Sequence, residues 1–206
     1  NLKDLNIIGN EYRKLELTRG LKSITNLRKL CITNIRVEGL ENIINNNVNL
    51  EELYLKDLNS FNASILSSLS KLKILALENI DSINNLNFLR FLLNIETLVL
   101  DNLNNVLNII DLHNLKSVKD FDLYNMPHID DISPIGDMAN LERLSFRGLK
   151  NITGTKSLNK LTKLNTIHTA NERPLSWFLY SGPHKCDITT REEYLKEYLE
   201  TLTYLV

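Results

Sequence analysis

The stretch Asn49-Leu50-Glu51-Glu52-Leu53-Tyr54-Leu55-Lys56-Asp57-Leu58, counted from Leu50, carries apolar residues at relative positions 1, 4, 6 and 9. Leu53 and Leu55 alternate as in a strand, so both point to one side while Glu52, Tyr54 and Lys56 point to the other. One such strand cannot hide its own apolar face. It requires similar neighbours on either side.

The chain supplies them. The same pattern starts at Leu2, Leu27, Leu50, Leu72, Ile95, Val118, Leu141 and Leu164, and from Leu27 onward the starts are 23, 22, 23, 23, 23 and 23 residues apart. Six residues before each of these later starts stands Leu21, Ile44, Leu66, Leu89, Leu112, Ile135 or Leu158. Three residues before, an apolar residue recurs (Ile24, Leu69, Leu92, Leu115, Met138, Leu161), with Asn47 the exception and Val48 beside it.

A frame of this kind and period resembles the leucine-rich repeat over about 170 residues. The stretch Asp131-Ile132-Ser133-Pro134-Ile135 leading to Asn140-Leu141-Glu142-Arg143-Leu144 is similar to the repeats of bacterial internalins and of SDS22-type phosphatase regulators. The resemblance implies an α/β solenoid with a curved parallel sheet on its concave face and short helices and 3₁₀ turns on its convex face. About eight repeats of 22 to 25 residues, the first irregular, then occupy 1–170, and 171–206 form a C-terminal cap. Return segments Asn62–Ser70 and Asn85–Asn94 suit short helices, whereas Pro134 and Gly136 favour a turn or 3₁₀ piece in His128–Ala139.

The chain departs from the common family form in one place. Position 9 is apolar (Ile35, Leu58, Ile80, Leu103, Met126, Leu149), and the polar residue stands at position 8: Asn34, Asp57, Asn79, Asn102, Asn125 and Asn171, with Gly148 in the remaining repeat. Such a side chain is expected to turn the chain by bonding nearby backbone amides. At the ends, Tyr12–Leu17 alternates a second time and suggests a capping hairpin. Thr190-Arg191-Glu192-Glu193 opens a C-terminal helix as a capping box would.

Composition narrows the function. Of 206 residues 43% are apolar and 24% charged, and 24 Lys plus Arg against 25 Asp plus Glu leave a net charge of -1. No bulk attraction to nucleic acid follows from that balance, and no apolar run is long enough to insert into a membrane. Cys31 and Cys186 have no disulfide-framework or metal spacing, which favours a reducing, cytoplasmic setting over a secreted or surface one. The Asn- and Ile-rich usage points to an AT-rich genome, and in such a chain the sequons at Asn62 and Asn151 are expected by chance.

No phosphate loop, nucleophile elbow or metal spacing of the four histidines is present, so no enzyme, cofactor or metal site is expected. Function falls to the open face of the sheet, where positions 3, 5 and 7 project. There Tyr54, Ile74, Ala76 and Val99 make a semi-apolar centre, beside an acidic block of Glu78, Asp101, Asp120 and Asp122 and a basic end of Arg143 and Arg147. Glu52 and Lys56 flank the centre, Tyr54 and Tyr124 are the expected anchors, and His168 is expected as an exposed polar residue on the same face.

Neighbouring carboxylates repel unless something basic offsets them, so the expected partner is a protein with a basic segment. The alternatives are a structural segment of a larger repeat receptor or surface protein and an SDS22-type phosphatase-regulating subunit. Replacing Asp101 and Asp122 together by Lys is expected to leave the fold intact and abolish binding.

Overall fold

A computed structural model describes residues 2–9, 14–16, 23–34, 36–150, 152–169 and 187–189. Its main feature is a nine-stranded parallel sheet in which each repeat gives one strand and Asp187–Thr189 gives the ninth. The strands are β1 (Asp4–Ile8), β3 (Lys29–Thr33), β5 (Glu52–Lys56), β6 (Ile74–Glu78), β7 (Thr97–Asp101), β8 (Asp120–Tyr124), β9 (Arg143–Arg147), β10 (Thr166–Thr169) and β11 (Asp187–Thr189). They lie side by side in chain order. Each of β5 to β8 shows the same alternation, with its two core-facing residues buried and the other three half-buried.

The shared frame is the core. Leu50, Leu53, Leu55 and Leu58 are 0%, 0%, 1% and 4% exposed, and their counterparts in the next three repeats are no more exposed. Return segments are short because the apolar spacing sets their pitch. Buried residues fall every three positions (Leu66, Leu69, Leu72; Leu86, Leu89, Leu92; Ile109, Leu112, Leu115; Ile132, Ile135, Met138). Three residues per turn is the 3₁₀ period. Accordingly Ala63–Ser68, Asn87–Phe91, Ile110–Asn114, Ser133–Asp137 and Thr155–Lys160 are all 3₁₀.

The helices expected in Asn62–Ser70 and Asn85–Asn94 are thus 3₁₀ turns like their neighbours. The α-helix of the described residues is α1 (Leu40–Asn46). There the buried positions are Leu40, Ile43, Ile44 and Asn47, the i, i+3, i+4, i+7 stripe of an α-helix.

Asn47 is no gap in the frame. Its side chain is 2% exposed, accepts from Leu27 N at 2.8 Å, and donates to Ile24 O at 2.8 Å and Ile43 O at 2.7 Å. It therefore satisfies three buried backbone groups from two repeats. Val48 is 46% exposed and takes no part in the frame.

Position 8 works differently from the expected turn. Asn34, Asp57, Asn79, Asn102 and Asn125 hold φ between 49° and 54°, and Gly148 holds 66°. This left-handed region is open to Gly and tolerated by Asn and Asp, which accounts for the residue types found there. Their backbone amides bond to the next repeat, as in Asn79 N to Asp101 O at 3.0 Å. Their side chains bond sideways to carboxamides and carboxylates rather than to backbone amides, as Asn102 Nδ2 does to Asn79 Oδ1 at 2.8 Å and Asn125 Nδ2 to Asp101 Oδ1 at 2.8 Å. A Cβ at Gly148 would stand 2.5 Å from Asn125 Oδ1, so a side chain there would push the Asn125 carboxamide aside.

The irregular first repeat contains no hairpin among its described residues. Instead β2 (Lys14–Glu16) pairs in parallel with β4 (Arg36–Glu38), forming a second, two-stranded sheet. At the other end β11 pairs in parallel with β10, so the sheet continues beyond the last regular repeat. The expected C-terminal helix from Thr190, and Asn171 with its position 8 role, lie outside the described residues.

Asn79→Ala, which keeps the left-handed φ but loses both side-chain bonds, is expected to cost about 1–2 kcal/mol in urea unfolding. Asn79→Gly is expected to cost less than Asn79→Ala, and the reverse order would contradict the backbone explanation.

Candidate partner-binding face

Strand register fixes three rows of side chains on the open face. Position 3 runs Asp4, Lys29, Glu52, Ile74, Thr97, Asp120, Arg143, Thr166; position 5 runs Asn6, Cys31, Tyr54, Ala76, Val99, Asp122, Ser145, His168. Position 7 runs Ile8, Thr33, Lys56, Glu78, Asp101, Tyr124, Arg147. These are the rows read from the sequence, residue for residue, as far as β9; Ala170 lies outside the described residues.

The electrostatics differ from the zoned picture. Each carboxylate of the acidic block has a cation within the chain. Arg143 Nε donates to Asp120 Oδ1 at 2.9 Å, and Arg143 Nη1 stands 3.8 Å from Asp122 Oδ1. Arg147 Nη2 reaches 3.8 Å from Asp101 Oδ2, and Lys56 pairs with Glu78. Lys29 Nζ lies 2.9 Å from Glu52 Oε2. The repulsion that called for a basic partner is therefore offset inside the sheet.

Both expected anchors are held in place. The Arg147 guanidinium lies 4.6 Å from the Tyr124 ring centroid, and the Tyr124 hydroxyl is 2.6 Å from Ser145 Oγ. Lys29 Nζ lies 5.1 Å from the centroid of Tyr54, whose hydroxyl donates to Glu52 Oε2 at 3.2 Å. A cation over the ring and a bonded hydroxyl limit the rotamers of each tyrosine. Burial, with the Glu52 charge, pushes the Tyr54 hydroxyl above its ordinary pKa, so it stays protonated and a donor. The Cys31 thiol is likewise pushed up by burial and stays protonated.

Two expectations need correcting. His168 is 8% exposed, not an exposed polar residue, because the face is covered there: its neighbour Ser145 is itself 3% exposed. The face is thus closed at that end. Nor is the Asp101, Asp122 double replacement by Lys neutral for the fold. Asp101 accepts from Asn125 and faces Arg147, and Asp122 is mostly buried beside Arg143, so two lysines would set cation against cation.

Two features were missed in the sequence. At position 2 the charge alternates, Arg28, Glu51, Lys73, Glu96, Lys119, Glu142, one residue per repeat along one rim. Ion pairs join Arg28 to Glu51, Lys73 to Glu51 at 2.9 Å and Lys119 to Glu96 at 2.7 Å. The alternation is visible once the repeats are aligned. On the opposite surface Phe91, Leu93, Leu107 and Ile110 are 53%, 57%, 66% and 58% exposed. The same repeat alignment places these four off the buried frame. Asn62, of the first sequon, accepts from Ser64 N and caps the 3₁₀ turn that follows; Asn151 lies outside the described residues.

Comparison with protein-family models and with curated proteins returns no match. Solved structures do match. Internalin C2 from Listeria monocytogenes superposes with TM-score 0.67 at 21% identity, over 91% of this chain and 80% of that one. A leucine-rich-repeat protein of Leptospira interrogans gives 0.66 at 21% identity, over 91% and 48%. The plant peptide hormone receptor RGFR1, in complex with RGF2, gives 0.59 at 13% identity, over 92% and 35%. The chain therefore has the leucine-rich-repeat fold, and spans less than half the length of the last two proteins.

One carboxyl on this face carries a stability signature. No donor reaches Asp122 Oδ1, and burial holds this carboxyl above the usual carboxylate range against the pull of Arg143. A carboxyl whose folded pKa exceeds its unfolded one binds more protons when folded, so it destabilises the fold as pH rises from the unfolded value through the folded one. Asp122→Asn is expected to raise Tm at pH 7, with the gain fading below about pH 4. A lower Tm at pH 7 would contradict that sign.

Proposed function

We propose that this chain is a protein-recognition module, not an enzyme, and that it holds its partner on the concave face of the sheet. One observation carries the reading. The residues the repeats share are consumed by the stack, whereas positions 3, 5 and 7 differ from strand to strand and form a face whose two large aromatics are already fixed. Glu52, Tyr54, Lys56, Ile74, Glu78, Val99, Asp101, Asp120, Asp122, Tyr124, Arg143 and Arg147 belong to this face. His168 lies at its closed end and contributes as a buried support.

A fixed aromatic loses little rotamer freedom on binding, which is why Tyr is over-represented among residues that dominate interface energetics. RGFR1, solved in complex with RGF2, is an example of this fold in a receptor. A second reading, a structural segment of a longer repeat protein, is favoured by the 48% and 35% coverage of two fold neighbours.

Affinity capture with the native chain, Tyr54→Ala and the convex-face control Asn84→Ala, run in parallel and quantified by mass spectrometry, separates the two. The proposal expects a protein held by the native chain and by Asn84→Ala, and depleted about tenfold or more on Tyr54→Ala. Equal recovery on all three baits would support the structural reading instead.

A further inference from the structure

The concave-face reading leaves open what chemistry the face selects. We infer that it recognises an uncharged segment of a protein through an apolar side chain, seated on β6 and β7 between the walls made by Tyr54 and Tyr124. This inference rests on the concave-face proposal and names the partner's chemistry at that same site.

The floor of the seat is Ile74 and Ala76 on β6 and Thr97 and Val99 on β7, adjacent in register and all half-buried. None of the four is charged. Along position 5 the row runs Tyr54, Ala76, Val99, Asp122, so the two aliphatic residues lie between a tyrosine and an aspartate. At the strand spacing of a sheet, Tyr54 and Asp122 are ~14 Å apart, a span wide enough for one large apolar side chain and the backbone that bears it. Ala76 is the smallest residue of the row.

Every charge around this floor already has a partner. Lys29 with Glu52 and Lys56 with Glu78 close one side; Arg143 with Asp120 and Asp122, and Arg147 with Asp101, close the other. A cation brought by a partner would have to displace Arg143, Arg147 or Lys56 from its carboxylate, so it would exchange one ion pair for another with little gain. An apolar side chain gains from leaving water and disturbs none of these pairs. The balance of charge on the face thus favours the neutral segment over the basic one.

Selection of random peptides about 12 residues long, displayed on phage, against the immobilised full chain tests this. The inference expects enriched sequences sharing an aliphatic or aromatic residue without enrichment in Lys or Arg. Synthetic versions should bind equally at low and high salt and lose about tenfold or more in affinity on Ala76→Glu. Thermal melting confirms that each variant remains folded.

Lys- or Arg-rich sequences that weaken with salt and with Asp101→Asn would overturn the inference and leave the concave-face proposal standing. Peptides indifferent to Ala76→Glu, Asp101→Asn and Tyr54→Ala alike would overturn both. Failure to enrich any sequence over an empty support would count against the inference.

Discussion

A strand of this chain can bury its leucines only against the strand before it and the strand after it. Everything regular in the molecule follows from that constraint. The 22- or 23-residue period keeps Leu53, Leu55 and their counterparts in line, and the three-residue apolar spacing winds the return segments as 3₁₀ turns. The chain must leave each strand without a bulky side chain opposing the next rung, and left-handed Asn, Asp or Gly at position 8 meets that need. Asn47 shows the same constraint from the polar side: it is accepted in the core because it satisfies three backbone groups that a Leu would leave unbonded.

Charge on the molecule is organised along the same axis. At position 2 the sign alternates from repeat to repeat, and on the concave face cations reach one or two strands across to carboxylates. Exposed pairs of this kind contribute little stability individually. Their effect on recognition is larger, because they leave the central floor of the face as the part with no charge of its own. On the proposed reading, recognition then rests on the apolarity of that floor and on two tyrosines held by their neighbours.

Much of this was legible in the sequence. The repeat frame gave the sheet, its strand order and the identity of every residue in the three concave rows, because a period of two within each strand and a fixed period between strands assign a side and an address to each residue. Reach was not legible. Nothing in the spacing shows that Arg147 would cross Tyr124 to Asp101, or that Arg143 would serve both Asp120 and Asp122, since long side chains choose among several neighbours. The pairing of Lys14–Glu16 with Arg36–Glu38 was hidden for a similar reason, as it joins two segments outside the frame. The burial of His168 was not legible, because the frame assigns each residue a side but not how far that side is covered. The apolar convex residues Phe91, Leu93, Leu107 and Ile110 were in plain view but fall off the frame, and they are the surface that competes with the concave face for the role of binding site.

Methyl NMR of the chain, titrated with a peptide selected on it, distinguishes these two surfaces most directly. The account predicts shifts concentrated on Ile74, Ala76 and Val99 and little change at Leu107 and Ile110. Shifts confined to Leu93, Leu107 and Ile110 would contradict it, and would move the binding site to the convex side.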